Sequence, residues 1–166
     1  MNKDGESRRS VLIVGGYGVV GAQIAEILSA RNPELHLLIA GRSQENANSV
    51  AAKFPHAQGI HIDVDQADPL ANLPNKPAAV LAVANDSEDN LLRSAVRRAI
   101  PYVDITRWTE RMQTSILRLA PAPLAAPVIL SSGWMAGVVA TVAAADASEF
   151  SRVDSINIDI LYALQG

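Results

Sequence analysis

One short passage restricts this chain more than any other. The apolar run Val11–Val14 (VLIV) leads through Gly15 into Gly16-Tyr17-Gly18-Val19-Val20-Gly21. Four apolar residues in a row are too few for a helix and read as a strand buried on both faces. Behind the glycines, Val20, Ile24, Ile27 and Leu28 fall at helical spacing, and Asn32-Pro33 ends the helix they predict. A G-x-G-x-x-G pattern has mechanical meaning only between a strand and a helix, and it stands there. Gly16 permits the tight turn, Gly18 lets a pyrophosphate approach bare backbone, and Gly21 lets helix and strand pack closely. The helix start then offers unpaired N–H groups and a positive dipole end to phosphate. The plain alternative is a glycine-rich turn without a ligand.

The same alternation continues along the chain. Further strands are expected at Leu35–Ala40, Ile60–Val64, Ala78–Ala84, Tyr102–Ile105 and Val128–Leu130. Between them, Ser43 can cap a helix whose stripe is Ala47, Val50, Ala51 and Phe54. Asp68-Pro69 reads as an N-cap and first helical position, opening a short helix to about Leu73. Glu88–Ala99 predicts a helix with Leu91, Leu92, Ala95, Val96 and Ala99 inward. Glu110–Leu119 predicts another that buries Met112, Ile116 and Leu119, and Gly137–Ser148 a last one. The expected fold is α/β: a doubly wound Rossmann arrangement, a mostly parallel six-stranded sheet with helices on both faces. Residues 1–8 read as a disordered tail and 9–150 as the dinucleotide-binding domain. In 151–166, Ile156, Ile158 and Ile160 alternate with Asn157 and Asp159, a half-buried strand. That strand either starts a second, substrate or dimerisation domain or adds an edge to the main sheet.

A ligand in such a fold lies across the carboxyl ends of the strands. A site for NAD usually has Asp or Glu about 20 residues past the glycines, to bond the ribose hydroxyls. Here Gly41, Arg42 and Ser43 occupy that place. An acid would repel the 2′-phosphate of NADP, whereas Arg42 can pair with it and Ser43 can donate a hydroxyl. NADP is therefore expected over NAD, the alternative being a solvated Arg42 and a Ser43 that only caps its helix. At the end of the third strand, Asp63 can accept from the adenine amino group with Val64 against the ring; equally, Asp63 or Asp65 can simply close a loop. Ala84 and Asn85, small residues ending the fourth strand, would let the nicotinamide-side ribose pass.

Several stretches together make the chain resemble the N-terminal NAD(P)-binding domain of the saccharopine dehydrogenase family. They are Val11–Gly21 (VLIVGGYGVVG), Ala40–Ser43 (AGRS), Ile62–Asp65 (IDVD), Ala95–Thr106 (AVRRAIPYVDIT) and Ser131–Val138 (SSGWMAGV). The resemblance implies NAD(P)-linked oxidoreduction, commonly at amino-acid-derived carbon–nitrogen bonds, and a substrate and dimerisation domain elsewhere, hence a homodimer. It also implies that a chain confined to the first domain is catalytically incomplete. The family's Gly-x-x-Pro-Gly turn reads Gly133-Trp134-Met135-Ala136-Gly137, with Ala136 in place of the proline.

The remaining chemistry is sparse. Asp104, at the end of the fifth strand, is the one weak catalytic candidate, able to orient substrate or relay a proton; a hydrogen-bonded structural carboxylate is the favoured reading. Arg107 reads as a surface arginine rather than a substrate clamp, Arg93, Arg97 and Arg98 as a solvated helix face. Trp108 and Trp134 are read as core or interface residues before pocket walls. His36, His56 and His61 lack metal-ligand spacing, so no metal is expected. A short-chain dehydrogenase would need Tyr-x-x-x-Lys, which Tyr17, Tyr102 and Tyr162 do not provide. The absence of cysteine excludes a thiolate nucleophile and permits a reducing, cytoplasmic setting. A formal net charge of −3 offers no basic field for nucleic acid. The Gly/Ala-rich runs 11–22 and 133–145 are shorter than a membrane span. A non-catalytic nucleotide-sensing module is the competing function, disfavoured because such modules usually carry an acid where Arg42 stands.

Overall fold

The computed structural model describes residues 9–120, 123–131 and 134–157, with backbone alone for 134–140. The chain forms two compact units, Met1–Ser132 and Gly133–Gly166. In the first unit the order is β1 (Ser10–Val14), α1 (Val19–Arg31), β2 (His36–Gly41), α2 (Gln44–Ala51), β3 (Ala57–His61) and β4 (Ala79–Ala82). It continues with α3 (Asn90–Arg97), β5 (Tyr102–Asp104), α4 (Thr109–Leu119) and β6 (Val128–Leu130). The second unit contains α5 (Trp134–Ala147).

All strand pairs are parallel, and the spatial order is β3-β2-β1-β4-β5-β6. The direction of winding therefore reverses between β1 and β4. Alternate residues of each strand feed two separate cores, as a pleat with period two requires. Leu12, Val14, Leu38, Ala40, Val80, Ala82 and Tyr102 face Leu91, Leu92 and Ala95 of α3 and Leu119 of α4. Ile13, Leu37 and Ile39 face Ala25 of α1 and Ala51 of α2, with Ile24, Leu28, Val50 and Phe54 packed beside them. The six-stranded doubly wound sheet expected from the sequence is present, with helices on both faces.

Three local expectations are corrected. The third strand begins three residues earlier than expected. Ala57–His61 pairs in register with Leu37–Gly41, and Gly59 admits α2, since a Cβ there would lie 2.5 Å from the Asn48 amide nitrogen. Ile62 leaves the strand but stays buried, its amide bonded to the Gly41 carbonyl at 3.0 Å. The helix expected after Asp68-Pro69 is a pair of turns, closed by Ala71 N–H to the Asp68 carbonyl and Leu73 N–H to the Leu70 carbonyl. Ile116, expected inside, is 51 % exposed on α4, because the buried line of that helix runs through Ser115 and Leu119 and leaves Ile116 at its edge. In the second unit, Ile156 stands exposed in irregular backbone; Ile158 and Ile160 of the expected last strand lie outside the described residues, as do residues 1–8.

Candidate functional site

The reversal between β1 and β4 is where an open parallel sheet leaves a crevice at its carboxyl edge. Gly15 lies in it with φ +86°, a conformation favouring glycine. A Cβ on Gly15 would come within 2.8 Å of the Ala84 nitrogen, so the turn is wedged against the end of β4. The amides of Gly15 and Gly16 both donate to the Ala40 carbonyl, at 2.8 and 3.1 Å, tying the loop to β2 as well. Gly21 packs onto the loop: a Cβ there would meet the Gly16 Cα at 2.7 Å. Gly18 is different. It is exposed, and a Cβ would touch only the Gly15 carbonyl at 3.3 Å, so the space above it holds little protein. Gly18 is also the N-cap of α1, and no side chain caps that helix. The amides of Val19 and Val20, in the first turn, have no side-chain acceptor among the described residues.

Tyr17 turns toward β2. Its ring lies on Gly41, where a Cβ would overlap the ring carbons, and its Oη accepts from the Ser43 amide at 3.2 Å. The Ser43 Oγ accepts from Asn46 N–H at 3.2 Å and so caps α2. Arg42 is exposed and takes part in no ion pair or hydrogen bond among the described residues. Asp63 Oδ1 accepts from the Asp65 amide at 3.1 Å, closing the turn after β3. The Val64 carbonyl accepts from Asn90 Nδ2 at 3.2 Å. Ala84 donates its amide to the Val14 carbonyl at 3.1 Å, beside the glycine turn. The exposed Asn85 accepts at Oδ1 from Arg111 Nη1. Backbone bonds and contacts thus tie the Gly15–Gly21 loop to the ends of β2 and β4. The Asp63–Val64 turn is joined to that group through the Ile62 bond to Gly41.

Behind Asn85 lies a charge cluster that sequence patterning did not reveal. Arg107, expected at the surface, is 2 % exposed. Its Nε donates to Asp104 Oδ2 at 2.8 Å, and Nη1 donates to Ser115 Oγ at 2.6 Å and to Asp89 Oδ1. Nη2 lies 3.5 Å from Asp86 Oδ2. Asp104 also accepts from the Tyr102 hydroxyl at 2.9 Å and from the Thr106 amide and hydroxyl at 2.7 and 2.8 Å. Both its oxygens are committed inside the protein. Asp86 caps α3 from outside it, accepting from Leu91 and Leu92 amides at 3.2 and 3.0 Å. Asp89, in left-handed backbone with φ 59°, accepts from Ser115 at 2.9 Å and Arg118 at 2.8 Å. Burial pushes the Asp86 carboxyl above its ordinary value, and the Leu92 and Leu91 amides only partly offset it. Burial also raises Asp89, but the bonds from Arg107 and Ser115 outweigh it and hold that carboxyl low.

Arg97 and Arg98, expected on a solvated face, both reach Asp68, at 3.3 and 2.8 Å. Trp108 is exposed at the start of α4, with the Arg111 guanidinium 5.2 Å from its ring centre. Among the described residues no cluster of His, Asp or Glu could hold a metal ion, and no helix is long and apolar enough to cross a membrane.

A parallel sheet in this strand order, with an uncapped helix behind a glycine turn at the switch point, defines a Rossmann-type dinucleotide-binding domain. Comparison with known proteins agrees. The family model described as "Saccharopine dehydrogenase NADP binding domain" matches residues 11–129, and the chain belongs to that family. Among solved structures it is similar to saccharopine dehydrogenase (L-Glu forming) from Saccharomyces cerevisiae, with TM-score 0.66 and 21% identity over 85% of this chain and 31% of that one. A myo-inositol dehydrogenase from Corynebacterium glutamicum gives TM-score 0.58 and 18% identity, over 84% of this chain and 41% of that one. A dTDP-glucose 4,6-dehydratase from Bacillus anthracis gives 0.57 and 13%, over 74% and 53%. The chain thus spans about a third of the yeast enzyme's length. Comparison with curated proteins gives no match.

Proposed function

We propose that this chain binds a pyridine dinucleotide along the carboxyl edge of β1, β2 and β4, taking NADP in preference to NAD. In this reading it is the cofactor domain of a saccharopine dehydrogenase-like oxidoreductase. The observation that carries the proposal is the uncapped start of α1 behind an exposed Gly18 with open space above it. A pyrophosphate seated there would accept from the first-turn amides and meet the positive end of the helix dipole. Arg42 supports the choice of NADP. It is exposed and has no partner among the described residues, and Gly41, Arg42 and Ser43 put no acid at the position directly after β2. On the other side, the small Ala84 puts little side-chain bulk at the end of β4, in keeping with passage of the nicotinamide-side ribose.

When bound, the dinucleotide would supply the hydride acceptor or donor, and the protein's share is orientation and the exclusion of water. Asp104 does not fit a proton-relay role, since its oxygens bond Tyr102, Thr106 and Arg107. Substrate groups are therefore assigned to a part of the longer protein beyond this domain, and this chain alone is proposed to bind cofactor without turnover. The name of the yeast enzyme, which forms L-Glu, supports an amino-acid-derived substrate for that longer protein.

The test is thermal unfolding with each dinucleotide. A ligand at 100 times its Kd stabilises by about 2.7 kcal/mol. NADP is expected to raise Tm more than NAD at equal concentration. Arg42→Ala is expected to erase the difference and leave NAD binding in place. Equal shifts in the wild type would remove the preference for NADP. The absence of any shift would remove the cofactor reading.

A further inference from the structure

We infer that the Tyr17 hydroxyl is a specificity-determining donor for the ribose 2′-phosphate, acting together with Arg42 and Ser43. The inference rests on the dinucleotide reading above and adds a residue whose side chain the glycine motif leaves undefined. In that motif Tyr17 is a spacer between two glycines, and nothing in the mechanics of the turn requires an aromatic ring. The structure gives the ring a place: its Cε1, Cζ and Oη edge lies against Gly41, the last residue of β2, and only a residue lacking Cβ leaves it room. Its hydroxyl is thereby carried from the phosphate loop to Ser43, just past the end of β2 and 26 residues away in sequence.

The direction of the hydrogen bond decides what that hydroxyl can do. Tyr17 Oη accepts from Ser43 N–H at 3.2 Å, which uses a lone pair. Its own proton has no acceptor among the described residues. Ser43 Oγ is in the same condition, accepting from Asn46 N–H at 3.2 Å with its proton unspent. Arg42, between Gly41 and Ser43, adds a guanidinium that carries donors only. Two hydroxyl protons and a guanidinium therefore belong to residues at one strand end, where Gly41, Arg42, Ser43 and Gln44 include no acid. Such a set bonds a dianion with several acceptor oxygens more strongly than a ribose diol, because bonds to a charged acceptor are the stronger ones. The 2′-phosphate is the group on the proposed cofactor that meets this description at this end of the crevice.

The experiment compares wild type and Tyr17→Phe by calorimetric titration, with NADP, NAD, 2′,5′-ADP and 5′-ADP as titrants. Phenylalanine keeps the ring on Gly41 and removes only the hydroxyl. The expected result is a loss of about tenfold or more in affinity for NADP and 2′,5′-ADP, the scale of one hydrogen bond to a charged acceptor. Affinities for NAD and 5′-ADP should stay within about twofold. Unchanged affinity for 2′,5′-ADP in Tyr17→Phe overturns the inference, as does an equal loss on all four titrants, which would make Tyr17 a support of the loop. A wild type that binds both dinucleotides without preferring NADP overturns it as well. A wild type that binds none of the four overturns the cofactor reading itself, so the two failures are distinct.

Discussion

Replacing Arg107 by Met tests whether the buried cluster is a closed charge set. Methionine is unbranched, close in length and able to fill the space the guanidinium stem leaves. The substitution strands Asp86, Asp89 and Asp104, exposed by 1, 2 and 0 %. Arg118 still reaches Asp89 at 2.8 Å, but its side chain is 45 % exposed and it does not serve the other two. Breaking a buried ion pair by removing one partner costs about 3–5 kcal/mol. Against a total of about 5–15 kcal/mol that is a large share. For a chain of this size it corresponds to a Tm lower by roughly 10 °C. Acid should narrow the deficit. In the wild type Asp89 is held low, so its contribution is present above the unfolded pKa and is lost as pH falls. In the variant the stranded carboxyls are pushed up, so protonation on folding stabilises it as pH falls through their folded values. Urea denaturation at pH 7 and pH 5 measures the gain of the variant, since the loss of the Asp89 contribution in the wild type starts only below the unfolded carboxyl value of about 4. Adding Asp89→Asn, which tolerates left-handed backbone, should return part of the loss by removing one unpaired charge. A deficit below about 1 kcal/mol, or one unchanged between the two pH values, would refute the reasoning.

Other consequences follow from single contacts. Arg98 and Ser94 hold the Asp68 carboxyl at about 2. Its stabilising effect is therefore present above the unfolded pKa and lost as pH falls toward 2. Because that side chain is 36% exposed, solvent screening limits the effect, and Asp68→Asn should cost under about 1 kcal/mol at pH 7 and nothing measurable at pH 2. On α4, Ile116→Ser should shift stability by no more than about 0.5 kcal/mol, whereas Leu12→Ala in β1 should cost about 2–5 kcal/mol; paired urea titrations of the two variants read the contrast.

The sheet was legible because buried parallel strands have no polar face to hide in. VLIV, HLLIA and AAVLAVA need no partner to be recognised; the first two end at Gly15 and Gly41 and the third at Asn85. The third strand was misplaced for the opposite reason. Its observed span, AQGIH, is polar and contains a glycine, since β3 is an edge strand and Gly59 is needed for the approach of α2. The more apolar residues just beyond it, Ile62 and Val64, are partly or wholly buried yet belong to the turn. Apolar pattern marks what is buried, and at a sheet edge burial and strand pairing part company. The Asp68 helix failed similarly: the Asp-Pro signal describes a local cap, but the carboxylate found Ser94 and Arg98 across the fold.

The glycine loop and the charge cluster mark the two limits of the same kind of reading. Glycines act through what their missing Cβ allows within a few residues, so Gly16, Gly18 and Gly21 announce a turn in sequence order. Arg107 acts through residues 3, 8, 18 and 21 positions away, and no spacing rule links them. Composition even points the wrong way, because an arginine is rarely buried unless paired. The signal that was available is a surplus of acid: Asp86, Asp89 and Asp104 all fall at the ends of elements predicted to bury apolar faces. Carboxylates at such ends need donors. The Asp86 oxygens take the α3 amides, and Asp89 and Asp104 are left requiring a cation with several N–H groups. Lysine would bring three donors from one point; a guanidinium brings five in a plane and can serve separate loops at once. The same cluster fixes the β4–α3 loop against α4 through Arg111, which holds Asn85 and the Asp86 carbonyl. With that side held, the exposed Arg42, just past β2 and without a partner among the described residues, is left to turn toward a ligand.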